Sequence, residues 1–397
     1  MPASTSTPIP LPAAVPRGWQ PQGELTGVPC AILRGGTSKA VFLDARVVPT
    51  DPDQRVRFLL ALMGSPDPRQ IDGLGGADLL TSKVAIIGPP SVEGADLDYT
   101  FAQVSLREPR VDFDMNCGNI SAAVGVYAVE QGLVPSGQPV ATVRIHNTNT
   151  RRILFAEVPL TGGHARVEGA GTVDGVPGSG AEILLDFRQT VGGVTGRLLP
   201  TGAPRDRLEV PGLGTLEVSV VDIANLCVVV RAADMGLGPE SFPGVPTAAV
   251  VERVDALQRA AARSLGLPER GLVPIPVLVG EPRTYATLTG DAVVAEEAVD
   301  IVAEVIGGQP LTLHRAFPGT ASITVAVAAR IPGTVAPQPR GDATAVRIGH
   351  PSGRIEVQAV ITAGPGEPTV RRAAYTRTAR RLMEGVAFLR QSALTTS

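Results

Sequence analysis

The chain has 397 residues, more than one hydrophobic core usually serves, so two domains or lobes are expected. A formal net charge of −3 without a basic block excludes an electrostatic footprint for nucleic acid, and no apolar run approaches the roughly 18–20 residues that span a bilayer. Aromatics make up only 4%, so the cores must be built from Val, Ala, Leu and Ile, and 45 Gly with 36 Pro imply many turns between short elements.

Residues 1–24 are rich in Pro, Ser and Thr and lack a basic start followed by an apolar stretch. They read as a loose tail and not as a signal peptide. Val/Ile-rich runs at 29–33, 40–44, 84–87 and 100–104 read as strands. The spacing predicts a helix over 52–63, capped by Asp51, and another over 120–131. Further strands are predicted at 141–146, 182–187, 216–221, 227–231 and 277–279, with helices at 248–265, 295–305, 320–329 and 370–389. Mixed short strands and separated helices indicate an α+β fold. The segments 120–131 and 320–329 are small and apolar all round, the mark of a helix buried on every side.

The two halves echo each other. Strand–turn–strand occurs at 31–43 and again at 218–230, and a loop entering an apolar strand at 81–88 and again at 273–280. The buried helix follows Cys117-Gly118 in one half and Pro318-Gly319 in the other. The repeat distance is roughly 190–200 residues, the kind of self-similarity a duplicated lobe produces. The expected lobes cover 25–190 and 191–375, with a C-terminal helix over 376–397 packing back on the first. Two buried helices, each presenting its N-terminus through a glycine, offer free N–H groups and a positive dipole end to carboxylates. A cleft between such lobes is where a small ligand would sit.

Of 35 Lys+Arg residues only Lys39 and Lys83 are lysines. Arginine cannot release its proton near neutral pH, whereas a buried lysine becomes a usable base. Lys83 follows the glycine-rich loop 73–82 and opens an apolar strand. The loop lacks the Gly-Lys-Ser/Thr ending before a helix, so it is not a phosphate-binding P-loop. Cys117 sits in a polar turn immediately before the buried helix, and helix starts favour thiolates. Cys30 and Cys227 lie in strand-like runs and read as small buried hydrophobes.

Three widely spaced cysteines without a CxxC pair give no disulfide framework and no zinc site, which points to a reducing cytoplasm. Four scattered histidines lack ligand spacing, so no metal is expected. Arg34, Thr37 and Ser38 belong to a turn whose N–H and hydroxyl groups suit a carboxylate, with a plain hairpin as the alternative. His314 and the 350–353 segment with Ser352 are further candidate contacts.

Six motifs together resemble the PrpF family: RGGTS at 34–38, Ser82-Lys83, NCGN at 116–119, IPGT at 331–334, GHPSG at 349–353 and RTARRLMEG at 377–385. They run in order over roughly 27–390. Ala40 departs from the pattern, where the first motif usually continues with Gly. The resemblance implies the diaminopimelate-epimerase-like fold, two pseudo-symmetric lobes each with a β-sheet wrapped round a central helix. It places Lys83 and Cys117 at the acid/base positions, with Ser82, Asn116, Gly118, Asn119, Gly319, Thr320 and Ala321 around the substrate.

The implied activity is cofactor-independent movement of a proton and a C=C bond in a small unsaturated di- or tricarboxylate such as 2-methylaconitate. A keto–enol tautomerase of 4-oxalomesaconate type is the alternative within the family. A two-thiol racemase would want a second cysteine where the chain has Gly319-Thr320-Ala321. A noncatalytic carboxylate-binding accessory protein would need no titratable lysine. The expected partners are the small polycarboxylate and, at most, a second copy in a homodimer.

Overall fold

The computed structural model describes residues 18–308, 310–341, 344–362 and 367–394. The first lobe opens with β1 (Leu25–Gly35) antiparallel to β2 (Ser38–Asp44), followed by α1 (Pro52–Met63) and β3 (Lys83–Gly88), which runs parallel to β2. β4 (Leu97–Val104) pairs antiparallel with β3, and β5 (Val111–Asp112) with the end of β4. After α2 (Gly118–Glu130), β6 (Val140–Asn147) lies parallel to β4, β7 (Arg152–Thr161) antiparallel to β6, and β8 (Ile183–Asp186) antiparallel to β7.

The second lobe repeats every one of these relations. After β9 (Asp206–Val210), β10 (Gly214–Ile223) is antiparallel to β11 (Asn225–Arg231). α3 (Ala248–Ser264) then leads to β12 (Ile275–Gly280), parallel to β11. β13 (Ile301–Gly307) is antiparallel to β12 and carries β14 (Thr312–Leu313). α4 (Gly319–Arg330) precedes β15 (Ala345–His350), parallel to β13, then β16 (Gly353–Thr362) and β17 (Thr369–Arg377), each antiparallel to the strand before. β8 and β17 pair with each other and join the lobes.

α2 and α4 occupy the middle of their lobes. From Gly118 to Val129 only Tyr127 is less than fully enclosed, and α4 is buried from Gly319 to Ala329. Small residues make this possible by letting strands approach from several sides. The outer helices are amphipathic and side-chain capped: Asp51 accepts from the Gln54 N–H, and Thr247 from the Val250 N–H. Among the described residues no helix is long and apolar enough to cross a membrane.

Three expectations need correction. The helix expected over 295–305 is a short 3₁₀ turn, Glu296–Ala298, followed by β13. Its Ile-Val-Ala-Glu-Val-Ile run is buried on both faces, and a continuous apolar run does not reveal its period. The helix expected over 370–389 is β17 and β18 (Ala379–Arg390), and of the C-terminal helix expected over 376–397 only Gln391–Leu394 is helical; 395–397 lie outside the described residues. β18 instead pairs along β1 from Leu25↔Arg390 to Gly35↔Ala379. The return to the first lobe is therefore made by a strand. Finally, the loose tail reaches less far than residue 24, because Gln20–Gln22 pairs with β1 and the Trp19 indole N–H donates to Val47 O at 2.7 Å; residues 1–17 lie outside the described residues.

One buried carboxyl in the second lobe ties stability to pH. Glu304 on β13 is fully enclosed, Oε2 accepts from the Gly244 N–H at 3.0 Å, and among the described residues Oε1 has no partner. Burial pushes its pKa from 4.5 to about 7. The native state thus keeps a proton that the unfolded chain has already lost, and this contribution to stability is fully present below pH 4.5 and lost as pH rises through about 7. A shift of this size corresponds to about 3 kcal/mol. Urea unfolding at pH 5 and pH 8 should show wild type losing about that much more stability than Glu304→Gln over the interval; equal losses would refute the assignment.

Candidate active site

Lys83 is placed by a tightly tied loop. The Gln70 carboxamide donates to Ser65 Oγ at 3.0 Å and Ser82 Oγ at 2.7 Å, and accepts from the Ala77 N–H at 3.0 Å. A Cβ on Gly75 would run into that carboxamide, so the loop needs glycine there. Ser82 Oγ donates in turn to Val104 O at 2.8 Å, pinning the loop to β4. Ser82 is thus part of the mounting behind Lys83 and not of the cavity wall.

Lys83 itself is only 7% exposed. Its Nζ donates to Gln103 Oε1 at 2.6 Å and lies 5.1 Å from the Phe101 ring centroid. Gln103 is fixed by donating to Leu79 O and Ser82 O, at 3.2 and 2.9 Å. Burial lowers the Lys83 pKa, opposed by Cys117 and Asp78. Among the described residues this ammonium has an amide and an aromatic face as partners, but no ion-paired carboxylate.

Cys117 is the N-cap residue of α2. Its carbonyl accepts from Ser121 N–H and Oγ, at 2.9 and 3.1 Å, while its side chain makes no capping bond. The thiol is therefore left to the cavity. α2 and α4 meet start to start: a Cβ on Gly118 would lie 3.3 Å from Thr320 N, and a Cβ on Gly118 or Gly319 would collide with Tyr375 Oη. Glycine is required at both positions for this approach. Asn225 locks the junction: its Oδ1 accepts from the Asn116 N–H at 3.0 Å, and its Nδ2 donates to Asn116 O and Thr320 Oγ1, at 3.0 and 2.8 Å.

Lys83 and Cys117 line one cavity of about 90 Å³ with Ser38, Asn116, Gly118, Asn119, His314, Gly319 and Thr320. The remaining wall is largely apolar and includes Leu79, Phe101, Met115, Leu272, Ile275 and Val305. Among the described residues Ser38 Oγ and His314 Nδ1 are buried without hydrogen-bond partners, as polar groups awaiting a ligand would be. Burial pushes His314 down to about 4, and Lys83 adds to the shift, so its ring is neutral at neutral pH. Among the described residues no group of three or more His, Cys, Asp and Glu could hold a metal.

Other candidates fall elsewhere. Arg34 is structural, its Nη1 donating to Gly36 O and Thr378 O, both at 3.0 Å. Thr37 accepts from Asn119 Nδ2 at 2.9 Å and lines a neighbouring cavity. Ala321 is enclosed within α4, and Ser352 Oγ donates to Arg315 O at 2.5 Å. Sequence reasoning missed Gln103, Phe101, Asn225 and Tyr375. Asn225 opens β11 as Ser38 opens β2, so the duplication itself carried the signal for it.

Two sheets, each folded round a buried helix, with both helix starts at one cleft, make this a diaminopimelate-epimerase-like α+β fold. The family model described as PrpF protein matches residues 25–390, and the chain belongs to the PrpF family. It is 41% identical over 380 residues to 3-methylitaconate isomerase from Eubacterium barkeri, covering 92% of this chain and 98% of that one. It is 37% identical over 369 residues to 4-oxalomesaconate tautomerase from Pseudomonas putida, covering 91% and 96%. A crystal structure of methylitaconate-delta-isomerase is similar at a TM-score of 0.76 and 40% identity, covering 94% of this chain and 98% of that one. The protein is an isomerase.

Proposed function

We propose that this isomerase moves a proton, and with it a C=C bond, within a small unsaturated di- or tricarboxylate, using Lys83 and Cys117 and no cofactor. The observation that carries the reading is a buried lysine that, among the described residues, has no carboxylate partner and lines the same small cavity as the free thiol at the N-cap position of α2. The names of relatives across the family, which include a methylitaconate isomerase and an oxalomesaconate tautomerase, support the substrate class.

A substrate carboxylate at the starts of α2 and α4 meets free N–H groups and two positive dipole ends, which stabilise charge spreading from the reacting carbon. Lys83, whose burial favours the neutral amine, takes a proton from the allylic carbon. The electron pair delocalises across the allylic system towards the carboxylate. Cys117 then returns a proton at the other end, so the double bond shifts and no net charge is gained or lost. Inversion by two opposed thiols is disfavoured, because the start of α4 carries Pro318 where α2 has Cys117.

Incubation with a panel of unsaturated di- and tricarboxylates in D2O, followed by NMR, tests the reading. The expected result is isomerisation of at least one member with deuterium entering at the allylic carbon. Turnover of none would overturn the substrate class, and turnover with full retention of the original proton would overturn the two-group mechanism.

A further inference from the structure

A second cavity, of about 210 Å³, adjoins the catalytic one. Asn119 is the partition: it lines the catalytic cavity while its side chain holds Thr37 and Arg377, which line the other. Phe317 and Pro318 likewise face one cavity each.

Arg377 is 7% exposed. Its Nε donates to Asn119 Oδ1 and its Nη1 to Thr376 O, both at 2.9 Å, and its guanidinium lies 4.5 Å from the Tyr375 ring centroid. Among the described residues it has no ion-pair partner. By contrast, Arg347 on the same cavity is neutralised by Asp300, Nη2 to Oδ1 at 2.8 Å. The carboxylates bordering the space are Asp174 and Glu356; Asp174 Oδ2 accepts from the Arg354 backbone N–H at 2.6 Å, and its charge attracts Arg377 without an ion-pair contact. His350 brings no counter-charge: burial, reinforced by Arg377, pushes it down to about 3, and its Nδ1 accepts from the Ser352 N–H at 3.2 Å. A guanidinium withdrawn from water without a directly paired carboxylate is costly, and the aromatic face beneath it and the more distant Asp174 offset only part of that. Open space beside it has room for the missing anion.

We propose that this second cavity is a carboxylate subsite in which Arg377, held in place by Asn119, pairs with an anionic group. The planar guanidinium suits a carboxylate and is only one side chain removed from the catalytic cavity. The carboxylate comes from one of two sources, an additional carboxylate of the substrate or a separate small acid. The first deepens the function proposed above and rests on it. In either case a filled subsite fixes Asn119, two residues after Cys117, and so bears on the start of α2.

Calorimetric binding of glutarate and tricarballylate, which differ by one carboxylate and have no double bond to move, tests this without any turnover. Wild type should bind tricarballylate about 10- to 100-fold more tightly than glutarate, and Arg377→Gln should erase that difference while leaving glutarate nearly unchanged. Thr172→Trp, which adds bulk at the exposed rim and keeps Arg377 and Asn119 as they are in sequence, should do the same, and it decides the matter alone if Arg377→Gln fails to fold. If the anion is separate, the two probes should bind alike, and added acetate should tighten glutarate binding in wild type but in neither variant. The proposal is overturned if wild type shows neither effect, or if the effect survives in the variants that fold. Failure of the Lys83–Cys117 reading would show instead as absent solvent-proton exchange, which these measurements do not use.

Discussion

Lys83→Arg should lower kcat by about 100-fold or more although it keeps the positive charge. A guanidinium holds its proton throughout the accessible pH range and cannot act as the base. It is also too broad for the place of Lys83, whose Nζ is held 2.6 Å from Gln103 Oε1 against the Phe101 face. NMR turnover assays would give kcat, with a thermal melt to establish folding. Because burial lowers the Lys83 pKa from 10.5, wild-type kcat/KM should rise with pH through a transition below that ordinary value, and the limb should vanish in the variant's residual activity. A folded Lys83→Arg enzyme turning over at near the wild-type rate would dismiss Lys83 as the base.

Cys117→Ser should be impaired on a similar scale, about 100-fold or more, with a different kinetic signature. A serine hydroxyl fits the same N-cap position, so the starts of α2 and α4, proposed above to receive a substrate carboxylate, stay in place. The loss should therefore fall on kcat, with KM changed by less than about threefold, as expected when an interaction specific to the transition state is removed. Steady-state kinetics on the substrate found in the D2O panel would separate the two parameters. A large rise in KM with normal kcat would make Cys117 a binding residue and leave the proton donor unassigned.

Much of this site could be read before the structure because its chemistry stands out against the local composition. Lys83 is one of two lysines in an arginine-rich chain, and Cys117 interrupts a polar turn directly ahead of a wholly apolar helix. The buried helices were legible for a related reason, since a long stretch of small apolar residues with no polar face has few places to go. The segments 295–305 and 370–389 were not legible. In the first, burial on both faces erased the strand period; in the second, only partners far away in the chain made it two strands. That error hid Tyr375 and left Arg377, the first residue of the 377–385 motif, without a role; both lie on β17, and their meaning depends on contacts with Gly118, Gly319 and Asn119. The apolar wall of the cavity was illegible because Leu79, Leu272 and Val305 meet only once both lobes are assembled.

The pairing of β18 with β1 dictates when the molecule can be finished. Beside that ladder, Gln391 Nε2 donates to Leu25 O across 366 residues of sequence. Closing so wide a loop is entropically unfavourable and kinetically slow, so such contacts form late. During synthesis the opening strand must wait, one edge unsatisfied, until the rest of the chain has emerged; the second lobe, lacking only β8 from outside its own stretch, can condense first. The first lobe carries both Lys83 and Cys117, so a nascent or truncated chain without β18 lacks the strand that completes the sheet around α2. Catalytic competence is then the last property the polypeptide acquires, and a short deletion at 379–390 should abolish it as thoroughly as a substitution in the cavity.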